Sequence, residues 1–364
     1  MNKKICLVGG EDAHKRIPLS KYLTEAGFKV TILGTSKEKF PENINYIPYN
    51  LNRKLSLISD FKTLKWLNRF FKENTFDVIH TFDTKPALLV PLSQLKTKTP
   101  ITRTITGLGS IFMDYSFFGY LLRRFYFILH SVVKKRVFMT VFQNNDDKKL
   151  YLKKKLINPD KFEIILSSGI ELNNKIVKAK RDNTKFTFIC VSRLVYEKGI
   201  VNFLEAAKIC KTKNYDFNFV LVGPLEENSK RLNSSILKNY SDIVTWLGSR
   251  KNILKLLSES DAFVLPTFYG EGFPRVLLEA GAVGLPIIST HVTGVREFAN
   301  HNKQALLVEP KNSNALAEAM ITLATNKDLA DELSENVIKH VKMFSLENVS
   351  KQYITIFNEA INLK

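Results

Sequence analysis

The sequence predicts an α/β protein built from two Rossmann-like domains, and two observations support this prediction. Short apolar runs of strand length alternate with helical patterns, and this alternation occurs twice, on either side of a polar and basic stretch at 167–185. Each series opens on an apolar strand followed by a helical pattern, as doubly wound parallel sheets do. The length of 364 residues also suits about two domains of ordinary size.

The first series begins with KKICLVGG, a strand that ends in the glycines Gly9 and Gly10. A helical pattern through Leu19 and Leu23 stops at Gly27, and VTILG is the second strand. The helical segments LISDFKTLKWLNRFFKE and PALLVPLSQL follow. Further strands are predicted at 76–82, 101–106, 139–143 and 162–168. The series predicts an N-terminal domain over residues 1–170.

The second series starts with the strand KFTFICVSRL at 185–194, and the amphipathic helix VNFLEAAKIC follows it. FNFVLVGP, DIVTWLG, AFVLP and PIIST are short apolar strands, each followed by helical or loop signals. A C-terminal domain is therefore predicted over 185–345, and the polar segment 171–184 is the predicted linker.

Charge is distributed unevenly along the chain. The net charge is +19, and residues 1–180 hold 32 Lys and Arg against 15 Asp and Glu, whereas the remainder holds 22 against 20. A basic half suits a polyanionic partner, either nucleic acid or an anionic membrane face. Because no RNP-like aromatic motif, zinc finger or basic arm occurs, a specific nucleic-acid binder is the disfavoured alternative.

The cysteines and the N-terminus indicate a cytoplasmic protein. Cys6, Cys190 and Cys210 show no metal-ligand spacing and are expected to be buried free thiols. MNKKICLVGG has too short an apolar run for a signal peptide, and no run approaches the roughly 18 residues that span a bilayer.

The stretch YGEGFPRVLLEA carries two glutamates, Glu271 and Glu279, around a predicted helix start. Pro274 suits the first helical position, and the helix is expected to run to about Gly284. The free N–H groups of the first turn, from Arg275 to Leu277, form a ready anion site. The alternative is a helix-terminal charge plus a core glutamate held by a salt bridge.

A basic pair lies upstream, in VSRLVYEKG. Arg193 ends a predicted strand and Lys198 follows five positions later. Cations at the carboxyl end of a strand suit a diphosphate at the switch point of an open sheet, although exposed loop cations are commonly only solvated. A Rossmann dehydrogenase is disfavoured because LVGGEDAHKR lacks GxGxxG.

Together, RLVYEKG, EGFPRVLLE, the TWLG and AFVLPTF runs and GVREF resemble the retaining GT-B glycosyltransferases of family 4, over nearly the whole chain. The resemblance implies a GT-B architecture, with two Rossmann-like domains facing across a cleft. SSGIEL resembles the interdomain hinge of that family. FSLENVSKQYITIFNEAI resembles its closing helix, so residues 346–364 are expected to return to the N-terminal domain.

The motifs AHKRIPLSKYL, IHTFDTKPALL and TITGLGSIF are similar to those of bacterial enzymes that extend lipid-linked glycans, including O-antigen and capsule transferases. This similarity implies transfer of a hexose or N-acetylhexosamine from a nucleotide sugar, with UDP as the expected nucleotide. The implied acceptor is a polyprenyl-diphosphate-linked saccharide. A glycosyltransferase with a soluble acceptor stays the alternative.

The resemblance also implies roles for residues of the donor domain. Arg193 and Lys198 would hold the diphosphate, Glu271 would contact the hydroxyls of the donor sugar, and Glu279 would take the ribose hydroxyls. Because the cations and the helix N-terminus substitute for a metal ion, no metal or other cofactor is expected. The further expected donor contacts are Gly272, Phe273, Pro274, Arg275, Val276, Leu277, Gly10, Gly223 and Arg250.

Four residues of the N-terminal half are expected to face the acceptor. His14 and Arg16 follow the glycine loop, and Lys85 lies in DTKP. A plain turn and solvated basic side chains are the alternatives for the loop and for these cations. Thr106 departs from the family pattern, because many members carry a histidine at about this position.

The segment FFGYLLRRFYFILHSVVKKRVF at 117–138 mixes large apolar side chains with five basic residues. A basic amphipathic segment can lie in a membrane interface. The alternative is a core helix with a charged outer face. The charge excess of this half favours peripheral association with the inner face of the cell membrane.

Overall fold

The computed structural model describes residues 3–52, 56–108, 112, 116–172, 185–226, 231–269 and 272–363. The chain forms two compact units. Unit 1 comprises Met1–Glu171, Glu271–Phe273 and Leu346–Lys364, and unit 2 comprises Leu172–Gly270 and Pro274–Ser345. Of the predicted linker 171–184, residues 173–184 lie outside the described residues, as does Glu271.

Unit 1 is built on a seven-stranded sheet with the order β3-β2-β1-β4-β5-β6-β7, in which every neighbouring pair is parallel. Its strands are β1 (Lys3–Val8), β2 (Phe28–Gly34), β3 (Asn45–Pro48), β4 (Val78–Thr81), β5 (Ile101–Ile105), β6 (Val137–Phe142) and β7 (Phe162–Ile164). The helices between them are α1 (Ile17–Glu25), α2 (Leu57–Glu73), α3 (Pro86–Ser93), α4 (Phe117–Val133) and α5 (Asn145–Lys153).

Both faces of this sheet are covered, which explains why its central strands are apolar without alternation. Ile5 and Leu7 of β1 pack in one cluster with α1, whereas Cys6 and Val8 pack in another with α2 and α3. Helices α2, α3 and α4 lie side by side, since α3 contacts both of the others.

Unit 2 has a six-stranded parallel sheet with the order β10-β9-β8-β11-β12-β13. Its strands are β8 (Thr187–Val191), β9 (Asn218–Val222), β10 (Val244–Trp246), β11 (Ala262–Leu265), β12 (Ile287–Thr290) and β13 (Ala305–Val308). Its helices are α6 (Ile200–Thr212), α7 (Ser234–Lys238), α8 (Ile253–Ser258), α9 (Arg275–Ala282), α10 (Val295–Phe298), α11 (Ser313–Thr325) and α12 (Lys327–Val341).

After unit 2 the chain adds one more helix to unit 1, α13 (Leu346–Asn362). Its buried side chains Val349, Tyr353, Ile356 and Phe357 join the same cluster as α1 and the inner side of β1. The helix packs on α1 and across β4, β5 and β6. Residues after 345 therefore form part of the core of unit 1.

The predicted class, two α/β domains with parallel sheets, is confirmed. Strands β3 and β13 were not predicted. Each is an edge strand of its sheet, and β3 is incompletely buried and ends in Pro48. His14 and Arg16 lie in a 3-10 helix, Glu11–Arg16, rather than in a loop. None of the helices in the described ranges is long and apolar enough to cross a bilayer.

Cys6, Cys190 and Cys210 are buried free thiols, as the sequence predicts. Burial raises the pKa of the Cys190 thiol to about 12, and it also raises that of Cys6. A thiol with a raised pKa carries little thiolate near neutral pH and reacts slowly. These residues are therefore structural parts of the core.

Candidate functional site

The strand order identifies one crevice in each sheet. In unit 2 the order reverses between β8 and β11, and in unit 1 it reverses between β1 and β4. In open parallel sheets, ligands bind outside the carboxyl ends of the strands at such switch points. The residues that follow β8, β11, β1 and β4 are therefore the first candidates for a site.

In unit 2, Arg193 and Lys198 follow β8 directly, at this switch point. Gly199 has a φ of +72°, and a Cβ at this position would lie 1.9 Å from the carbonyl oxygen of Pro266, which follows β11. The backbone N–H of Phe268 donates to the carbonyl of Glu197 at 2.9 Å. These contacts join the loops after β8 and β11 and fix the backbone that carries Lys198.

The loop after β9 is tied to the same place. Gly223 has a φ of +143°, and a Cβ there would lie 1.7 Å from the carbonyl oxygen of Ser192. The indole N–H of Trp246 donates to the carbonyl of Gly223 at 3.0 Å. Only glycine permits this approach, so packing already explains the glycine, and its role in donor binding stays a prediction.

Arg193 forms an ion pair with Glu226, a residue that the sequence analysis missed. Its Nη1 lies 2.6 Å from Oε1 of Glu226, and both side chains are about half exposed. An isolated β-bridge joins Leu194 to Leu225, so the loops after the neighbouring strands β8 and β9 lie together. An arginine held by an exposed carboxylate can exchange it for another anion. Lys198 lies close by in sequence, with its Nζ 5.7 Å from the ring centre of Tyr269.

Helix α9 starts one residue later than expected. Pro274 is its N-cap with an extended backbone, and its carbonyl accepts a hydrogen bond from the N–H of Leu277 at 3.1 Å. The N–H of Leu277 is therefore not among the free donors of the first turn, which are those of Arg275 and Val276. The helix ends at Ala282, and Gly284 follows with a φ of +73°.

Glu279 is partly exposed on α9, rather than buried as the apolar sequence around it suggested. Its Oε1 lies 3.1 Å from Nε of Arg275, one turn earlier. This ion pair supplies the hydrogen-bond donor that the carboxylate needs, and it orients the carboxylate on the helix surface. Arg250 is exposed after β10 and donates to the carbonyl of Ser249 at 3.3 Å.

Of the two glutamates of YGEGFPRVLLEA, Glu279 lies on α9, whereas Glu271 lies outside the described residues. Gly272 and Phe273 belong to unit 1, whereas Pro274 and α9 belong to unit 2. Within unit 1, a Cβ at Gly272 would lie 2.0 Å from the carbonyl oxygen of Thr106. Close backbone contact with Thr106 therefore fixes Gly272, and a role for Thr106 at the acceptor stays a prediction.

In unit 1, the glycine loop after β1 meets a carboxylate that the sequence analysis missed. The N–H of Gly10 donates to Oδ2 of Asp83 at 3.0 Å. Asp83 follows β4 and has a left-handed φ of +69°. Because non-glycine residues in this conformation concentrate at functional sites, Asp83 is a site candidate. A phosphate could reach the N–H of Gly10 only by displacing this carboxylate.

The three predicted basic residues of unit 1 are held by specific partners. Arg16 is buried, with its guanidinium carbon 3.9 Å from the ring centre of Phe82. His14 Nδ1 lies 3.0 Å from Oγ of Ser36. The alternative of solvated loop side chains is therefore wrong for Arg16.

Lys85 is held at the start of α3. Its Nζ lies 2.7 Å from Oδ1 of Asp60 and 2.8 Å from the carbonyl oxygen of Asn52. The side chain is mostly buried, so it is not the solvated lysine of the alternative interpretation. These contacts place Lys85 beside the first turn of α2, at the carboxyl edge of the sheet.

Buried polar residues behind the carboxyl edge were also missed by the sequence analysis. Arg103 on β5 is fully buried, and it contacts Thr140 and His130 at 3.1 and 2.9 Å. Burial lowers the pKa of Arg103, and burial also lowers that of His130 well below its usual value. Within the described residues, no group of three or more His, Cys, Asp or Glu side chains could hold a metal ion. The expected metal independence stays a prediction.

Comparison with known proteins identifies the class that these features define. A family model for glycosyl transferases group 1 matches residues 173–340, and a glycosyl transferase 4-like model matches residues 4–144. The protein is a glycosyltransferase with the GT-B fold. More particularly, the chain belongs to the group 1 glycosyl transferases of family 4, which confirms the resemblance found in its motifs.

Two relatives and one solved structure are similar over most of the chain. An N,N'-diacetylbacillosaminyl-diphospho-undecaprenol alpha-1,3-N-acetylgalactosaminyltransferase from Campylobacter jejuni is 26% identical over 97% of both chains. A UDP-Gal:alpha-D-GlcNAc-diphosphoundecaprenol alpha-1,3-galactosyltransferase from Escherichia coli is 28% identical over 78% of this chain and 75% of its own. HepE from Anabaena, crystallised with UDP, is 14% identical with a TM-score of 0.80, over 98% of this chain and 100% of its own.

Proposed function

We propose that this enzyme transfers a hexose or N-acetylhexosamine from a UDP-sugar to a polyprenyl-diphosphate-linked saccharide. The observation that carries the proposal is the position of Arg193 and Lys198, which both follow β8 at the switch point of the unit 2 sheet. The names of the two relatives support the lipid-linked acceptor and the α linkage, and one of them names a UDP-sugar. The product would enter a bacterial surface polysaccharide or glycan.

The two cations act on the leaving group. Breaking the bond between the sugar C1 and the phosphate oxygen leaves negative charge on the nucleoside diphosphate. Arg193 and Lys198 stabilise this charge as it develops, and the N–H groups of Arg275 and Val276 add backbone donors. Fixed donors of this kind lower the barrier because they need no reorganisation during the reaction.

The remaining donor contacts orient the ligand. Glu279, held by Arg275, accepts hydrogen bonds from the ribose hydroxyls. Glu271 contacts the sugar hydroxyls. The acceptor hydroxyl attacks C1 from the face that the diphosphate leaves, and the departing phosphate oxygen takes its proton, so the anomeric configuration is retained. The donor site works without a metal ion, because the cations and the helix N-terminus neutralise the diphosphate.

The acceptor diphosphate is bound in unit 1. Lys85 and Arg16 lie after β4 and β1, on the two sides of the switch point, and each is held by a neighbour. The carboxylate of Asp60 pairs with Lys85, and the carboxylate of Asp83 accepts a hydrogen bond from the N–H of Gly10 in the loop before Arg16. A diphosphate replaces carboxylate contacts with stronger anionic ones.

The membrane-borne acceptor is reached through helix α4. Seven large apolar side chains on its outer face are between 44% and 77% exposed, and its inner face is buried through Tyr126, His130 and Val133. The outer face is therefore apolar, which speaks against a core helix with a charged outer face. Arg124 of α4 is exposed, and so is Lys135 in the 3-10 helix Lys134–Arg136 that follows α4. An apolar helix face with basic residues suits the interface of an anionic membrane, and the enzyme would act at the inner face of the cell membrane.

The donor site is tested by single substitutions. We expect Lys198→Ala and Arg193→Ala each to lower kcat by about a hundredfold or more, because each removes a charge that stabilises the leaving diphosphate. UDP release is measured with a panel of UDP-sugars and a diphosphate-linked acceptor. Lys339→Ala, which alters an exposed ion pair on α12, is the matched control and should leave turnover unchanged. Unchanged turnover in both site variants would contradict the proposed function.

A further inference from the structure

Helix α2 exposes apolar side chains that its role in the core does not explain. Leu57, Ile58 and Phe61 are between 57% and 74% exposed, whereas Leu67, Phe70 and Phe71 on the other side are buried in the core of unit 1. Exposed apolar residues are common singly, but a contiguous group on one helix end marks an interaction surface. We define the α2 patch as Leu57, Ile58 and Phe61.

The charges around the α2 patch are positive. Lys62 and Lys65 are exposed on the same helix face, and Nζ of Lys65 lies 4.8 Å from the ring centre of Phe61. The acidic residue of this helix end, Asp60, is paired with Lys85. The acidic residue at the far end, Glu73, is paired with Arg69. The patch is therefore flanked by lysines, and both carboxylates of α2 are neutralised by basic neighbours.

The α2 patch belongs to the same helix layer as the exposed face of α4. Helix α3 contacts both α2 and α4. Its Leu88 and Leu92 are partly exposed, and Leu95, just after the helix, is exposed. Each helix follows a parallel strand and returns along it, so α2 and α4 both start near the carboxyl edge of the sheet. The most exposed side chains of α4, Phe117 and Phe118, lie at that same helix start.

We propose that the α2 patch is a second membrane contact, and that its occupant is an anionic lipid bilayer. This inference rests on the membrane association proposed for α4. Exposed apolar side chains accompanied by lysines, with neutralised carboxylates, match the chemistry of an interface that is apolar below and anionic at its surface. Two contacts on one layer fix how unit 1 lies on the bilayer, whereas α4 alone would leave rotation about its axis free.

The second contact has a consequence for the acceptor. Lys85 lies at the start of α3, between α2 and α4, and is bonded to the first turn of α2 through Asp60. With the α2 patch in the interface, Lys85 lies next to the plane of the lipid phosphates. A diphosphate attached to a membrane-embedded isoprenoid chain would then reach Lys85 without leaving that plane.

The inference is tested with a fluorescent label at the α2 patch. The three native cysteines are buried, so Ile58→Cys can be labelled selectively with the environment-sensitive dye NBD. Vesicles of phosphatidylcholine with about 30% phosphatidylglycerol should shift its emission to the blue and raise its intensity about twofold or more, because the dye leaves water. Met343→Cys, an exposed position in unit 2, is the matched control and should show no shift.

A second variant measures the contribution to binding. The triple variant Leu57→Ser, Ile58→Ser and Phe61→Ser should lower vesicle partitioning in a sedimentation assay by at least about tenfold, because three exposed apolar contacts are removed. UDP release from a short-chain acceptor in detergent should be unchanged, which shows that the variant is folded. Both results together support the α2 contact.

Each other outcome overturns the inference in a distinct way. If the protein sediments with vesicles while the label at position 58 stays silent, the α2 contact is wrong and the membrane association proposed for α4 stands. If the protein does not bind anionic vesicles at all, both are wrong, whereas the donor-site variants still decide the glycosyl transfer. A label shift that depends on protein concentration without vesicles would identify a second copy of the chain as the occupant.

Discussion

In the proposed donor site, Arg193 is paired with a carboxylate of the protein itself. Its ion pair with Glu226 is about half exposed, and pairs of this kind contribute little to stability because water and salt screen them. The same contact matters more for binding, because a diphosphate that uses Arg193 must replace the carboxylate. If the proposed donor site is right, Glu226 competes with the diphosphate for Arg193, and the pairing of β8 with β9 holds it close.

Removing this competitor should strengthen nucleotide binding. We expect Glu226→Gln to lower the Kd for UDP by about twofold to fivefold, because an exposed ion pair of about 0.2–1 kcal/mol no longer has to be broken. Calorimetric titration of UDP into the folded variant measures the change. Glu335→Gln, in an exposed pair on α12, is the matched control. Weaker binding by Glu226→Gln would indicate that this carboxylate contacts the ligand instead.

Single residues of the site could be predicted where their position in a motif determines their place. Arg193 and Lys198 follow a recognisable strand, so the sequence already indicated that they lie at the carboxyl edge. Glu226 and Asp83 were not predicted, because each contacts a residue that follows a neighbouring strand, β8 for Glu226 and β1 for Asp83. For Asp83 the two strands, β1 and β4, are not consecutive in the chain. A search for acidic residues one strand-end away from predicted cations would have found Glu226, since β9 follows β8 in the chain.

At the scale of elements, α13 is joined to the sheet of unit 1 by buried polar groups. His80 on β4 lies between Thr102 and Thr104 at 2.7 and 2.9 Å, and Oγ1 of Thr104 lies 3.0 Å from the hydroxyl of Tyr353. The ring of His80 also packs against Tyr353 and Phe357. Burial, and secondarily the charge of Arg16, keep the pKa of His80 well below its usual value.

We expect this histidine to make the docking of α13 sensitive to acid. Because the pKa of His80 is lower in the folded state, its contribution to folding is constant above about pH 6.5 and turns against the folded state as the pH falls below that value. We expect protection of the β4, β5 and α13 peptides from hydrogen exchange to fall between pH 7 and pH 5, after correction for intrinsic rates.

The sensitivity should be specific to this residue. His80→Asn should reduce the pH dependence by up to about 1.4 kcal/mol per pH unit, the value for one proton. The substitution of the exposed His291 by Asn is the control and should leave the dependence unchanged. An identical pH profile for wild type and His80→Asn would show that other groups dominate.

Elements differ in how far the sequence predicts them. The apolar runs of β1, β4, β8 and β11 are fully or mostly buried and were all predicted, because helices cover both faces of these strands. Helix α4 was predicted as a helix, but its orientation was not, because apolar residues occur on both of its faces. Periodicity indicates a buried face only when the opposite face is polar. The burial of Arg103 and His80 was not predicted, because the sequence does not show whether a polar residue within an apolar strand is buried.

At the scale of the whole molecule, the charge lies mainly in the first half of the chain. Residues 1–180, which include most of unit 1, hold 32 basic and 15 acidic residues. They therefore account for most of the net charge of +19. Both exposed apolar surfaces, on α2 and on α4, belong to this same unit. The excess positive charge and both of these exposed apolar surfaces thus lie in the same unit.

Membrane binding should therefore depend on salt and on the charge of unit 1. We expect partitioning onto anionic vesicles to fall at least about tenfold when salt is raised from about 0.05 M to about 0.5 M, because screening weakens charge attraction. The double variant Arg124→Gln and Lys135→Gln should bind more weakly and with less salt dependence. The double variant Lys251→Gln and Lys339→Gln, which removes equal charge from unit 2, should behave as wild type. Absence of binding at low salt would favour a soluble acceptor.

The path of the chain has a consequence for how the protein is made. Unit 1 is closed by α13, whose side chains cover one face of β4, β5 and β6. The ribosome delivers roughly 175 residues between the end of the first part of unit 1 and the start of α13, which takes about 10–35 seconds. During this time the part of the sheet that α13 covers, over β4, β5 and β6, stays uncovered while unit 2 emerges. The growing chain therefore exposes apolar surface that the finished enzyme no longer has.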